Sequence, residues 1–167
     1  MSYRNKTYIV FDGDNDIWAY RFMKGWKVNK NIDFNFYDAH DINRLTNNAR
    51  SPEYVKKKLK ERFKSAKQII VLIGDKTKNL YRYVRWELEV AQDLGLPIIA
   101  VNLNEMRSQD PNRVPPIIRD EYVVHIPFKL AIIKYALENF PPEFKKRKAT
   151  DSGPRVYNES VYKKLEL

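Results

Sequence analysis

Along the chain, short unbroken apolar runs alternate with longer stretches whose apolar residues recur every three or four positions. The first run, residues 7–11 (TYIVF), is β-branched and aromatic and empties into Asp12-Gly13-Asp14-Asn15-Asp16, as a buried strand entering a turn does. Asp14, Asn15 and Asp16 can cap the helix predicted next, which carries Ile17, Tyr20, Arg21, Lys24 and Trp26 and ends near Gly25. Residues 34–37 form a short aromatic strand leading to Asp38 and Asp41, with a polar loop on to Arg50. Ser51-Pro52-Glu53 opens a helix, with a cap, a proline in the first turn and an acid near the positive end of the dipole. Val55, Leu59 and Phe63 form its packing face, and Lys56, Lys57, Lys58 and Lys60 fall largely on the other side. Residues 68–73 (QIIVLI) are apolar without alternation, the pattern of a strand covered on both faces, and Gly74 ends them. A helix over about 80–94 stopped by Gly95, strands at 97–101 and 123–126, and a helix over 128–140 stopped by Pro141-Pro142 complete the series.

Such an alternation predicts an α/β fold with a parallel sheet and helices on both faces, and we expect a five-stranded, flavodoxin-like, three-layer arrangement. One domain is expected over 1–144, with an irregular, proline-bearing connection at 104–120. From 145 the chain turns to Lys-Lys-Arg-Lys and then to Ser, Gly, Pro and Asn, so 145–167 reads as a loosely attached polar tail. With 167 residues, 43% of them apolar, the chain can fill one sizeable core. It has no cysteine, which excludes thiolate nucleophiles, thiolate metal sites and disulfides, and only His40 and His125 supply imidazoles. No metal site is expected. No apolar run approaches a membrane span and the N-terminus carries no apolar signal core, so a cytoplasmic protein without a membrane partner is expected. A net charge of +10 favours phosphate-bearing partners, polymers or small anions alike.

Ligands of parallel sheets sit outside the carboxyl ends of the strands, which directs attention to three loops. The first holds Phe11, Asp12, Asp14 and Asp16, the second Asp38, His40 and Asp41, and the third Asp75 and Thr77. Acids and Asn are also the ordinary residues of turns and caps. On the helix after the third loop, Leu80, Tyr83, Val84, Leu88, Val90, Ala91 and Leu94 fill one apolar arc, and Glu87 falls inside it. A carboxylate on a core-facing stripe is costly unless paired, so Glu87 is either half of an ion pair, with Arg82 a candidate, or a group kept for chemistry.

Residues Val71-Leu72-Ile73-Gly74, Thr77, Asn79 and Tyr83-Val84-Arg85-Trp86-Glu87 resemble the strand, loop and aromatic-Val-Arg-aromatic-Glu signature of TIR-like domains, above all the ThsB type of Thoeris anti-phage systems. The resemblance runs from Tyr8 to about Phe140 and leaves the tail outside it. It implies a TIR fold and an enzyme that breaks the nicotinamide glycosidic bond of NAD, with Glu87 as the catalytic residue. NAD is then a substrate, with no cofactor and no metal. The product is expected to be a cyclic ADP-ribose-type signal that reaches a separate effector, and the resemblance further implies self-association and a phage-derived trigger. Around Glu87, Phe11 and Trp86 are candidates to stack on rings and Thr77 and Asp38 to bond hydroxyls, while Asp12, Asp14 and Tyr83 complete the expected substrate site. In departure from many TIR domains, Tyr83 stands where Trp is common.

Two other classes compete. A TIR domain can be a non-enzymatic scaffold. The run Ile9-Val10-Phe11-Asp12-Gly13-Asp14 also fits the D-x-D opening of magnesium-dependent phosphatases, although no acidic partner follows Gly74-Asp75 within a few residues. A nucleic-acid partner is not expected, because a solvated helix face and a tail explain Lys56 to Lys60 and Lys145 to Lys148.

Overall fold

The computed structural model describes residues 6–38 and 51–167. Among these, β1 (Lys6–Val10), β2 (Tyr37–Asp38), β3 (Gln68–Ile73), β4 (Ile98–Asn102) and β5 (Val124–Pro127) form one parallel sheet in the order β2-β1-β3-β4-β5. Four strands carry the sheet, and β2 is a two-residue edge. The helices are α1 (Ile17–Val28), α2 (Pro52–Phe63), α3 (Tyr83–Asp93), α4 (Leu130–Lys146) and the short α5 (Glu159–Lys164). The strand order reverses between β1 and β3, so the loops leaving these two strands diverge to opposite faces and leave a crevice.

The unbroken apolar strands serve two cores, because successive side chains point to opposite faces. Ile9, Ile70, Leu72, Ile99, Val101, Val124 and Ile126 meet α1 and α4 on one face. Their neighbours Tyr8, Val10, Ile69, Val71, Ile73, Ile98 and Ala100 meet α2 and α3 on the other. α2 starts where its sequence signals place it, with Ser51 Oγ accepting from Tyr54 N–H at 3.2 Å.

Two expectations fail at the C-terminal end. The last long helix does not stop at Pro141-Pro142 but runs through both to Lys146. Each proline removes a backbone donor, and the aromatic cluster offsets that loss: Phe140 stacks on Tyr122 at 5.9 Å, and Phe144 packs on both. Nor is 145–167 loosely attached. Arg155 exchanges backbone hydrogen bonds with β5, through Arg155 N–H to Val123 O and His125 N–H to Arg155 O, in a parallel bridge beside Val124. α5 then lays Tyr162, 1% exposed, into the core of the α1–α4 face. Composition misleads here because one aromatic anchor among polar residues is enough to dock a short helix. If Tyr162 anchors the segment, Tyr162→Ala should lower stability by about 3–5 kcal/mol in denaturant titrations, the usual cost of emptying a large aromatic site. A loose tail would show no effect.

His125 is fully buried on β5, and neither ring nitrogen has a hydrogen-bond partner among the described residues. Burial alone pushes its pKa down to about 4. The unfolded chain therefore takes up this proton first: the imidazole's contribution to stability is intact above about pH 6.5 and is lost as the pH falls toward 4, by about 3 kcal/mol when complete. His125→Leu should remove that portion of the acid slope in melting temperature. An unchanged slope would place the titration elsewhere.

Candidate functional site at the carboxyl edge

β1 leaves the sheet through Phe11 into a turn that Asp12 organises. Asp12 Oδ1 accepts from the backbone N–H groups of Asp14 (3.0 Å) and Asn15 (3.3 Å), and Oδ2 accepts from Asn15 Nδ2 (2.7 Å). Across the crevice, β3 ends at Gly74. Thr77 Oγ1 accepts from Gly74 N–H at 2.9 Å, and its hydroxyl lies 3.4 Å from both Asp16 Oδ2 and Leu72 O. Asp16 sits so close over Gly74 that any Cβ there would overlap its carboxylate. A larger residue at 74 would have to displace the Asp16 carboxylate, and the three residues clasp the two loops together. Burial first, and the nearby Asp12 charge second, raise the Asp16 pKa above the usual carboxylate range, with the Thr77 hydrogen bond acting the other way.

α3 begins later than its periodicity predicts. Residues 77–79 form a 3-10 turn, Leu80 and Arg82 leave helical backbone, and the helix opens at Tyr83. Between this irregular start and the β1 turn lies a cleft of about 370 Å³, lined by Asp12, Gly13, Asp14 and residues 79–84. Its position at the β1/β3 switch is where the fold offers ligands a crevice. A larger cavity of about 560 Å³ opens at the other end of the strands, between Gln92, Tyr122, Phe144 and Lys148. Volume favours that one, but the carboxyl edge holds the convergent polar groups, and we place the candidate site there.

The structure does not bring all the expected residues together. Asp12, Asp14 and Tyr83 line the cleft together. Glu87 is buried, 4% exposed, one turn along α3 from Tyr83 and Val84 and on the same stripe, and it is not among the residues that line the cleft. Trp86 is half-buried on the flank of that stripe, edge-on to Tyr83 with ring centres 5.6 Å apart. Phe11 and Thr77 do not open to the cleft. Phe11 stacks on Tyr20 at 4.8 Å within the core of the opposite face, and the Thr77 hydroxyl is enclosed in the clasp. Asp38 pairs in register with Thr7, well before β1 ends at Val10, and His40 and Asp41 lie outside the described residues. Asp12 does not present the free carboxylate that a D-x-D phosphatase would use for attack, since its own turn occupies both oxygens.

The sequence model of the family described as Thoeris protein ThsB, TIR-like domain, matches residues 8–108, more than half of the chain. The chain belongs to this family. The match spans β1 to β4 and so includes the clasp, the cleft and α3, and it makes the chain a TIR-type protein of Thoeris anti-phage defence. Within the ThsB-type frame, Leu80, Tyr81 and Arg82 also line the cleft, although the sequence pointed to Leu80 only as a helix residue and to Arg82 only as an ion-pair candidate. No local signal marked the later start, since Asn79 is a good cap for a helix beginning at Leu80.

The clasp is directly testable. Gly74→Ala must part Asp16 from β3 and should cost about 1–3 kcal/mol in chemical denaturation. Asp16→Asn keeps a hydrogen-bonding group toward Thr77 while removing a charge whose ionisation burial opposes. It should raise the melting temperature at pH 7 and change nothing below the carboxylate range, where Asp16 is already protonated. A lower melting temperature at pH 7 would mean the ionised form is the one the clasp needs.

Proposed function

We propose that this TIR-like domain cleaves the bond between nicotinamide and ribose in NAD, with Glu87 as the group that stabilises the reacting sugar. What supports the reading is one placement above all: a buried carboxylate on the apolar stripe of α3, one turn from a cleft at the sheet's switch point, in a member of the ThsB TIR-like family. Nicotinamide departs as a neutral molecule carrying the electron pair of the C–N bond, so positive charge develops on the ribose. A fixed carboxylate in a dry site lowers the energy of that oxocarbenium and needs no metal to do so. If water then attacks C1, ADP-ribose and a proton result. If a nucleophile of the same nucleotide attacks, the product is cyclic. We favour the cyclic outcome, a diffusible signal to an effector, made after self-association and a phage-derived trigger.

The scaffold reading has its own observation. Trp18 and Phe22 lie exposed on α1, packed edge to face at 6.1 Å, as residues of a protein-binding surface often are. One pair of variants separates the two readings. Glu87→Gln keeps size and hydrogen bonding but deletes the charge, and should lower NAD cleavage about 10²-fold or more, resolved by mass spectrometry of the products. The melting temperature should stay equal or rise, because a carboxylate kept for chemistry burdens the fold. Glu89→Gln is the control: it breaks a half-exposed ion pair to Lys56 on α2, 2.9 Å long, and should cost at most about 1 kcal/mol without touching cleavage. A Glu87→Gln protein that is destabilised yet active would establish a structural carboxylate, and a wild-type chain that assembles without turning over NAD would establish the scaffold.

A further inference from the structure

A second cleft opens on the same edge, on the far side of the Asp12–Asp16 turn. Its volume is about 340 Å³, and it is lined by Asn15, Asp16, Trp18, Asp75, Lys76 and Arg113, with Leu103 opposite. The groups fall into two parts. Trp18 is 44% exposed and half-buried Leu103 lines the same cleft; the indole is edge to face with Phe22 at 6.1 Å and Phe128 at 5.7 Å, so the aromatic cluster holds it in place at the rim. Lys76 is exposed, and the Arg113 guanidinium is held in place by Asp75 and, at 3.9 Å, by Asp110. Asp110 is itself fixed by Asn104 Nδ2 and by the N–H of Asn112, each at 2.8 Å, so Arg113 stands on an ordered loop. The positive end of α1 also begins at this cleft, since Asp16 and Trp18 border it.

We propose that this second cleft binds a nucleoside monophosphate, with the base stacked on Trp18 and the phosphate on Arg113 and Lys76. A planar ring joined to an anion matches an indole next to two cations, and neither half alone engages both. Arg113 has donors beyond those Asp75 occupies, and Asp75 is 78% exposed, so a phosphate competes with a carboxylate that water already screens. The site is separate from the first cleft. The acidic turn between them spends the N–H groups of Asp14 and Asn15 on Asp12, which leaves Asp14 as a charge that opposes a pyrophosphate crossing it. Asp16 borders the second cleft and belongs to the clasp, so an occupant there touches the same turn that lines the first cleft. None of this depends on Glu87 being catalytic.

The test is calorimetric titration of the full chain with AMP, adenosine and inorganic phosphate at one fixed, low salt concentration. AMP should bind at least about tenfold more tightly than adenosine or phosphate. Trp18→Ala, at an exposed position, should weaken AMP about tenfold or more, and Trp18→Phe should restore part of the loss. Arg113→Gln should weaken AMP and adding salt should do the same, whereas Asp75→Asn should tighten it by removing the competing carboxylate. Melting curves confirm that each variant is folded. Glu87→Gln should leave AMP affinity unchanged, so failure of NAD cleavage and failure of this site are read separately. The proposal is overturned if AMP shows no binding in the millimolar range, if Trp18→Ala and Asp75→Asn leave its affinity unmoved, or if Glu87→Gln abolishes it, which would put AMP in the first cleft.

Discussion

The arrangement at the carboxyl edge depends on one close approach, that of the Asp16 carboxyl to the backbone of Gly74. β1 and β3 are neighbours in the sheet, but their following helices lie on opposite faces, and nothing in the topology alone brings their loops together. Thr77 joins them through a single oxygen that accepts from one loop and faces a carboxylate of the other. A buried carboxyl group is a costly pin, and its raised pKa expresses that cost. What the fold gains is a fixed separation between the β1 turn and the start of α3, hence clefts of defined width on both sides of the turn.

Much of this was legible in the sequence because the informative signals were local. The unbroken apolar run 68–73, the cap at Ser51 and the stop at Gly95 each depend on chemistry within one turn or strand, and each element appears as expected. Glu87 was legible for the same reason: a period of 3.6 is enough to place it on the buried stripe. Most of the misreadings are tertiary. Phe11 looked available because it follows a strand into a loop, but Tyr20, nine residues on, returns along α1 to stack on it. Thr77 looked like a hydroxyl for a ligand, and a partner 61 residues away in sequence uses it. Pro141 and Pro142 read as a stop because intrinsic preference was the only term visible; contacts with Tyr122 outweigh it. Tyr162 gave no periodic signal at all, since a helix of six residues is too short to show one.

Net charge and local charge pull in different directions, and the proposed reaction uses both. The chain carries +10 overall, which draws an anionic dinucleotide toward the surface at long range. At the carboxyl edge the sign inverts, with Asp12 and Asp14 at the first cleft and Glu87 one turn beneath. For tight ground-state binding of a pyrophosphate this is a poor arrangement. For a reaction whose ribose turns cationic as a neutral base departs, carboxylates around the reacting end favour the transition state over the bound substrate, which is the only kind of interaction that accelerates the chemical step. An acidic first loop, a liability for a dinucleotide-binding protein, is then consistent with a dinucleotide-cleaving one. Arg82 at the rim of the first cleft leaves a cationic group for phosphates at the periphery, away from the carboxylate that would act on the sugar.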